Sequence, residues 1–439
     1  MKARTFAVAI VLTLPGLTST TSPAQSPPVT ATSQTITLSE AEAAALANQP
    51  RMLAAQLRAR AYAERVREAR SGLFPTVGFN TTGVRVADTG TSTAAGNITT
   101  SSISDRFAYG GSLAQLVTDF GRTSALVGSA RSTAEAQTDL ATLTRAQVRL
   151  NVREAYYQVL GAEAVLRAAQ AAQANRQLIS RQLSALAQSQ LRSTLDVNFA
   201  NVLESEAELA VVRAQSTVAQ QRTRLATAMG LQQPITAALS DVAPSNEALP
   251  PAPDTLLQQA QAQRADLSAA QAQQHAAQEF ASSEKRLSYP TLNILAAAGE
   301  VPFHDHTLHD NYAAAGFNLN VPVFNGGLYA ARRTEADLEA TARTRDVQQL
   351  KLEVSEQVRD AWYQADEAYR SLDVTARLVA QSKEALRLAQ DRYEAGLGSI
   401  VELNEAQLNE TSAEITAADA TYTYLSRRAE LDFAAGLLN

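Results

Sequence analysis

The chain has 439 residues and a formal net charge of -6, with 5% aromatic residues and a single Trp. Length alone would allow two or three ordinary domains, but so few aromatics among Ala, Gln, Arg, Glu and Leu favour long helices over a wide packed core. The acidic balance argues against nucleic acid as a partner. The absence of cysteine excludes disulfides, thiolate metal sites and a lipid-modified N-terminal Cys.

Residues 1–24 read as a secretory signal peptide. Lys2 and Arg4 form its charged start, residues 6–14 its apolar segment, and Ser22-Pro23-Ala24 a small-residue cleavage site. The apolar segment is too short to span a bilayer as a helix. Residues 25–37 are expected to form a flexible N-terminal segment. A helix is predicted over 38–70, then β-like segments at about 74–87 and 106–118 around a polar loop. A very long helix follows over 122–189, then a break, then a helix ending at Gly230. Residues 232–253 hold Pro234, Pro244, Pro250, Pro251 and Pro253 and read as a linker. Beyond it the order repeats: helix 254–286, β-like segments at about 289–301 and 311–323, a long helix over 329–395, a break, and a helix to Gly436.

The repetition is in the residues as well as in the elements. Asn-Val-Arg-Glu-Ala-Tyr-Tyr-Gln at 151–158 matches Gln-Val-Arg-Asp-Ala-Trp-Tyr-Gln at 357–364, and the same offset holds to the C-terminus. It pairs Asp119 with Asn325, Gly121 with Gly327, Asn198 with Asn404, and Glu204 and Glu208 with Glu410 and Glu414. Upstream, Phe74-Pro75-Thr76 matches Tyr289-Pro290-Thr291, so the first copy is the longer one between Pro75 and Asp119. A period this long is a duplication of one unit, residues 38–231 and 254–439, not a short solenoid repeat.

The long helices carry a narrow apolar seam. In the second copy it runs Val347, Leu350, Val354, Val358, Ala361, Ala365, Ala368, Leu372, Ala376, Val379, in the threes and fours of a coiled coil. The β-like segments alternate instead. Ala313, Ala315, Phe317, Leu319, Val321 and Val323 share one face, with Asn318 and Asn320 on the other, and Leu292, Ile294, Ala296 and Ala298 also share a face. Segments of about 9 to 11 residues with this alternation fit tilted strands of a transmembrane barrel, and they also fit solvated hairpins on a helical bundle. Four strands cannot close a barrel, and lipid does not tolerate open edges. Membrane insertion therefore requires several chains to share one barrel. The other reading is a periplasmic coiled-coil scaffold or spacer that forms no channel.

In the order of these elements the sequence resembles the TolC family of outer-membrane factors over nearly all of residues 38–439. The Pro-started strands carry the likeness, with the turns Asp119-Phe120-Gly121-Arg122 and Phe324-Asn325-Gly326-Gly327 and the stretch Arg392-Tyr393-Glu394-Ala395-Gly396-Leu397. The resemblance implies a mainly α fold with a small β part. It implies a homotrimer whose long helices form an α-barrel joined to a 12-stranded β-barrel in outer-membrane lipid. It further implies an exit duct for efflux or type I secretion, docked on a periplasmic membrane-fusion adaptor and an inner-membrane transporter, with no cofactor.

By the same resemblance Glu402 and Glu405 would line the periplasmic entrance as an acidic ring, with Glu in place of the Asp of the best-known member. Asp196 and Tyr393 would be tip closure contacts, although the Arg that joins them in the family falls at Gly398 here. Leu191, Ser193, Gly396, Leu397, Gly398 and Ser399 would form the adaptor-docking tip, the first of the two turns lacking the usual Gly. His304, His306 and His309, with Asp305 and Asp310, form HDHTLHD in a polar loop. Imidazoles and carboxylates can bind a transition metal, but a surface loop without supporting hydrogen bonds is the commoner case, so no metal is expected. No nucleophile–base pair or metal triad appears. Gly396-Leu-Gly398 lacks the third Gly of a dinucleotide loop, so no enzyme is expected.

Overall fold

A computed structural model describes residues 35–84, 106–190, 193–242, 249, 252–303 and 309–439. The signal-peptide reading of 1–24 lies outside them, as do Leu191, His304 and His306. In chain order the elements are α1 (Leu38–Asn48), α2 (Pro50–Ser71), β1 (Thr76–Val84), β2 (Arg106–Thr118), α3 (Arg122–Gln188) and α4 (Thr194–Ala228). The second copy supplies α5 (Asp254–Gln263), α6 (Ala265–Lys285), β3 (Thr291–Phe303), β4 (Asn311–Asn320), α7 (Leu328–Glu394) and α8 (Ile400–Ala434).

The long helices α3 and α7 have 67 residues each and α4 and α8 have 35 each. At about 1.5 Å per residue the longer pair reach roughly 100 Å. Such length is sustained by side-by-side packing: α3 lies against α4, α6, α2 and α8, and α7 against α8, α6 and α5. The contact line on α7 is narrow, with Val347, Val354, Val358, Ala365 and Ala368 buried and most other positions exposed. Small Ala side chains on the seam let the helix axes approach closely.

Two aliphatic–aromatic cores sit part-way along the bundle, one per copy. The first gathers Val152, Tyr156 and Val159 of α3 with Ala41, Ala45, Met52 and Leu225; the second gathers Val358, Trp362 and Ala365 of α7 with Leu256, Ala260 and Leu431. The fully buried Tyr156 turns its hydroxyl to the carbonyls of Ile36 (2.8 Å) and Ser240 (2.7 Å). Those two segments also bridge each other, Ile36 N–H donating to Ala238 and Ser240 N–H to Ile36, each at 2.9 Å. Residues 36 and 37, expected to be flexible, are thus fixed, and Thr37 caps α1 in a reciprocal capping box with Glu40.

The opening helix of each copy, expected to be continuous, is broken. Gln49 (φ −68°, ψ 117°) separates α1 from α2, and Arg264 (φ −66°, ψ 120°) separates α5 from α6. Pro50 explains the first break, because a proline excludes the residue before it from helical geometry. The second copy has Ala265 instead, and its break has a tertiary cause. Gly436 sits against it, so close that a Cβ there would stand 3.1 Å from Arg264 N and 3.2 Å from the Gln263 carbonyl carbon. Both break residues donate to the last turn of the copy's final helix, Gln49 Nε2 to the Thr227 and Ala228 carbonyls and Arg264 Nη1 to the Ala434 carbonyl. Carbonyls left over at a helix end thereby gain partners.

The four strands form one antiparallel sheet in the order β1-β2-β3-β4, so the two copies meet through β2 and β3. The register separates its faces. One carries Val77, Phe79, Leu113, Ile294, Ala296, Phe317 and Leu319; the other carries Asn80, Ser112, Asn293, Asn318 and Asn320 with several glycines. Strand β4 ends at Asn320, earlier than the expected 323, because Pro322 has no N–H to add to a ladder. At the two strand-to-helix turns the chain reverses through positive φ, at Phe120 and Gly121 in the first copy and at Gly326 and Gly327 in the second.

Candidate functional site at the helix tip and sheet

At the end of α7 farthest from the sheet the chain turns back in a Schellman motif. Gly396 takes φ +74°, Leu397 N–H donates to the Arg392 carbonyl (2.9 Å) and Gly396 N–H to the Tyr393 carbonyl (3.1 Å). Gly398 N–H donates to the same Arg392 carbonyl at 3.0 Å. Ser399 then starts α8, its hydroxyl accepting from Glu402 N–H at 3.1 Å. The turn is thus closed by backbone and cap hydrogen bonds while Leu397 projects into solvent, 76% exposed.

The equivalent turn between α3 and α4 is made with different residues. Gln190 occupies the place of Gly396 at φ +60°, and Ser193 caps α4 by accepting from Leu195 N–H at 3.1 Å. A non-glycine residue is rare in that region of φ. Gln190 therefore holds a strained conformation at the position where the second copy has Gly396.

Glu402 and Glu405 lie in the first two turns of α8, both exposed. Glu402 is not free: Arg392 Nε stands 3.2 Å from its Oε1 across the turn. Sequence reasoning missed this pair, although Arg392 lies within the stretch that drew attention to the turn. Asp196 is in the first turn of α4 and Tyr393 in the last turn of α7, helices that are not packing neighbours in the protomer. Higher up, the buried Arg176 of α3 donates from Nη1 to Asn404 Oδ1 of α8 at 3.1 Å, tying the first copy to the second near the tip. Of the loop histidines only His309 is among the described residues, where no group of three or more His, Asp or Glu is placed to hold a metal.

At the opposite end, exposed aromatic rings stand in two rows. Phe74, Phe120, Tyr289 and Phe324 lie where the strands meet the helices; Phe107 and Phe303 lie at the far end, with Tyr109 half-buried beside Phe107 and Tyr312 on the Asn80 face. Phe120 meets Tyr289 edge to face at 6.1 Å, and Phe107 and Tyr109 stand 6.2 Å apart. The face between the rows carries Ala, Leu, Ile and Val with Phe79, Phe317 and Gln115. No described helix is long and apolar enough to cross a membrane.

The outer membrane efflux protein family model matches residues 43–231 and 256–437, once over each copy. The chain belongs to the outer membrane efflux protein family. Membership places it in the bacterial outer membrane, extending into the periplasm. Among curated relatives it is 24% identical to Outer membrane protein TolC of Salmonella enteritidis over 202 residues, 43% of this chain and 41% of that one. It is 24% identical to Outer membrane protein TolC of Escherichia coli K12 over 321 residues, 69% and 63% of the two chains. The alignments thus span less than two thirds of either relative. Solved structures of channel proteins superpose closely. CusC gives a TM-score of 0.78 at 18% identity, covering 91% of this chain and 92% of that one. The outer-membrane channel OprN gives 0.78 at 20%, covering 91% and 89%, and the open MtrE channel of Neisseria gonorrhoeae gives 0.76 at 22%, covering 91% and 88%.

Proposed function

We propose that three copies close one 12-stranded barrel in the outer membrane and form a passive exit duct of a tripartite efflux or type I secretion system. The observation that carries this is the two-faced, four-stranded sheet with an aromatic row at each end and unpaired outer edges on β1 and β4. Because the strands alternate in direction, β4 of one copy can pair antiparallel with β1 of the next, and the ring closes on an even strand number. From Tyr289 to Phe303 the chain climbs roughly 45 Å at ~3.3 Å per residue, or roughly 35 Å vertically at the ~40° tilt of outer-membrane barrels. That is long enough to cross the ~25 Å apolar band of such a barrel with an aromatic ring beyond each boundary, with the apolar face towards lipid and the Asn-rich face towards the lumen.

The helices would project together into the periplasm, with the turns at Gly396–Ser399 and Gln190–Ser193 at the entrance. The exposed Leu397 and the Gly396 and Gly398 backbone would meet the adaptor, with Leu191, Ser193 and Ser399 beside them, and the inner-membrane transporter would supply cargo. Asp196 and Tyr393 would meet between neighbouring tip helices. Glu402 and Glu405 would line the axis, Arg392 offsetting half of that charge. Purified protein in planar bilayers tests the reading: it should give cation-selective single channels, and a preparation that inserts but never conducts would contradict it.

A further inference from the structure

Between α3 and α8, above the tip, lies a groove of about 190 Å³ lined by Asn175, Arg176, Gln407, Glu410, Thr411 and Glu414 over a floor of alanines. Gln407, Glu410, Thr411 and Glu414 follow one another at helical three-and-four spacing, so α8 presents four oxygen-bearing side chains in one row. Burial first, and then Glu414, push the Glu410 carboxyl above the usual carboxylate range. Gln407 is only 8% exposed, and its side-chain oxygen has no hydrogen-bond partner. A buried amide oxygen without a partner is costly. The equivalent Asn201 in the first copy is satisfied by Ser180, which donates at 2.9 Å. At the position matching Ser180, α7 has Leu386, which offers no donor.

We infer that this groove binds one divalent cation of the hard, oxygen-seeking class, Ca²⁺ or Mg²⁺, through the Glu410 and Glu414 carboxylates and the Gln407 side-chain oxygen. Neutral oxygens at Thr411 and Asn175 complete a donor set of the type such ions take. Lys383 now holds Glu414 at 2.7 Å, but its side chain is 54% exposed and can swing into solvent. The charge then balances. Glu206 of α4 acts on Arg176 electrostatically, which leaves the Glu410 and Glu414 carboxylates for the ion. Because Asn175 belongs to α3 and the other donors to α8, the ion would bind the two copies together and resist their separation. The inference rests on the protomer alone and not on the duct reading.

Radiocalcium dialysis against the purified full-length protein tests it. Glu402→Ala with Glu405→Ala is used as the background, which removes the tip acids from the count. One ion per chain is expected there, lost in Glu410→Gln with Glu414→Gln and weakened about tenfold or more in Gln407→Leu, a variant that keeps both carboxylates. Lys383→Met should tighten binding by removing the competing cation. No ion bound at millimolar Ca²⁺ in that background, or binding unchanged in the double Gln variant, would overturn the inference.

Discussion

Arg392 and Glu402 face each other across the tip turn, Nε to Oε1 at 3.2 Å, so the acid nearest the turn carries its own counter-charge. Both side chains are about half exposed, and such a pair contributes little stability, ~1 kcal/mol or less. Its effect is on the local field. If the tip faces the three-fold axis, Glu405 supplies most of the uncompensated negative charge. Reversal potentials in a salt gradient should fall more for Glu405→Ala than for Glu402→Ala, and Arg392→Ala should raise cation selectivity. Block by divalent cations should vanish in the double Ala variant and weaken at high salt in the native protein. Equal selectivity in all four proteins would show that these residues are solvated surface.

Gln190 holds φ +60° where the second copy uses Gly396 at φ +74°. An L-residue in that region costs roughly 1 kcal/mol against glycine. Gln190→Gly should therefore stabilise the helix hairpin by about 1 kcal/mol, seen as a higher thermal midpoint. Gly396→Ala should lower it by a similar amount, and Gly396→Pro should abolish export while leaving assembly intact, since proline cannot take a positive φ.

Gly230 packs against the break between α1 and α2, where a Cβ would stand 2.8 Å from the Asn48 carbonyl, and its φ is +75°. Gly230→Ala adds a clash with backbone to the cost of φ. A loss of roughly 2–4 kcal/mol is expected, against a smaller loss for Gly436→Ala, where the nearest atom is 3.1 Å away. Chemical denaturation of the two variants measures the order, and a milder effect at Gly230 would contradict this packing account.

Glu154 lies between α3 and α8 with its pKa raised, first by burial, then by Glu430, against the opposing pull of Arg427. A carboxyl whose folded pKa exceeds its unfolded value destabilises the fold once pH is above the folded value, and the cost disappears as pH falls below the unfolded value near 4.5. Glu154→Gln should thus raise the thermal midpoint at neutral pH, with the gain shrinking towards pH 4. A gain independent of pH would indicate a packing effect instead.

Much of the fold was legible because duplication and periodicity are properties of the sequence. The offset pairing 151 with 357 also pairs the ends of α3 with those of α7 and the ends of α4 with those of α8. Alternation at 313–319 likewise describes the sheet face that carries Phe317 and Leu319. What escaped was set by tertiary contact. Arg264 breaks a helix without a proline at the point where Gly436 packs closely, and nothing within 254–286 signals that. At the tip, the glycines and the serine cap announced a turn, but the pairing of Arg392 with Glu402 depends on how the turn folds back. The link from Arg176 to Asn404 joins residues of different copies and has no local signature.

The claim that separate chains share one barrel is tested most directly by native mass spectrometry of the detergent-extracted protein. The account predicts particles of three chains, because a lone four-stranded sheet leaves the outer edges of β1 and β4 unpaired. A single chain that stays folded and membrane-bound would contradict it.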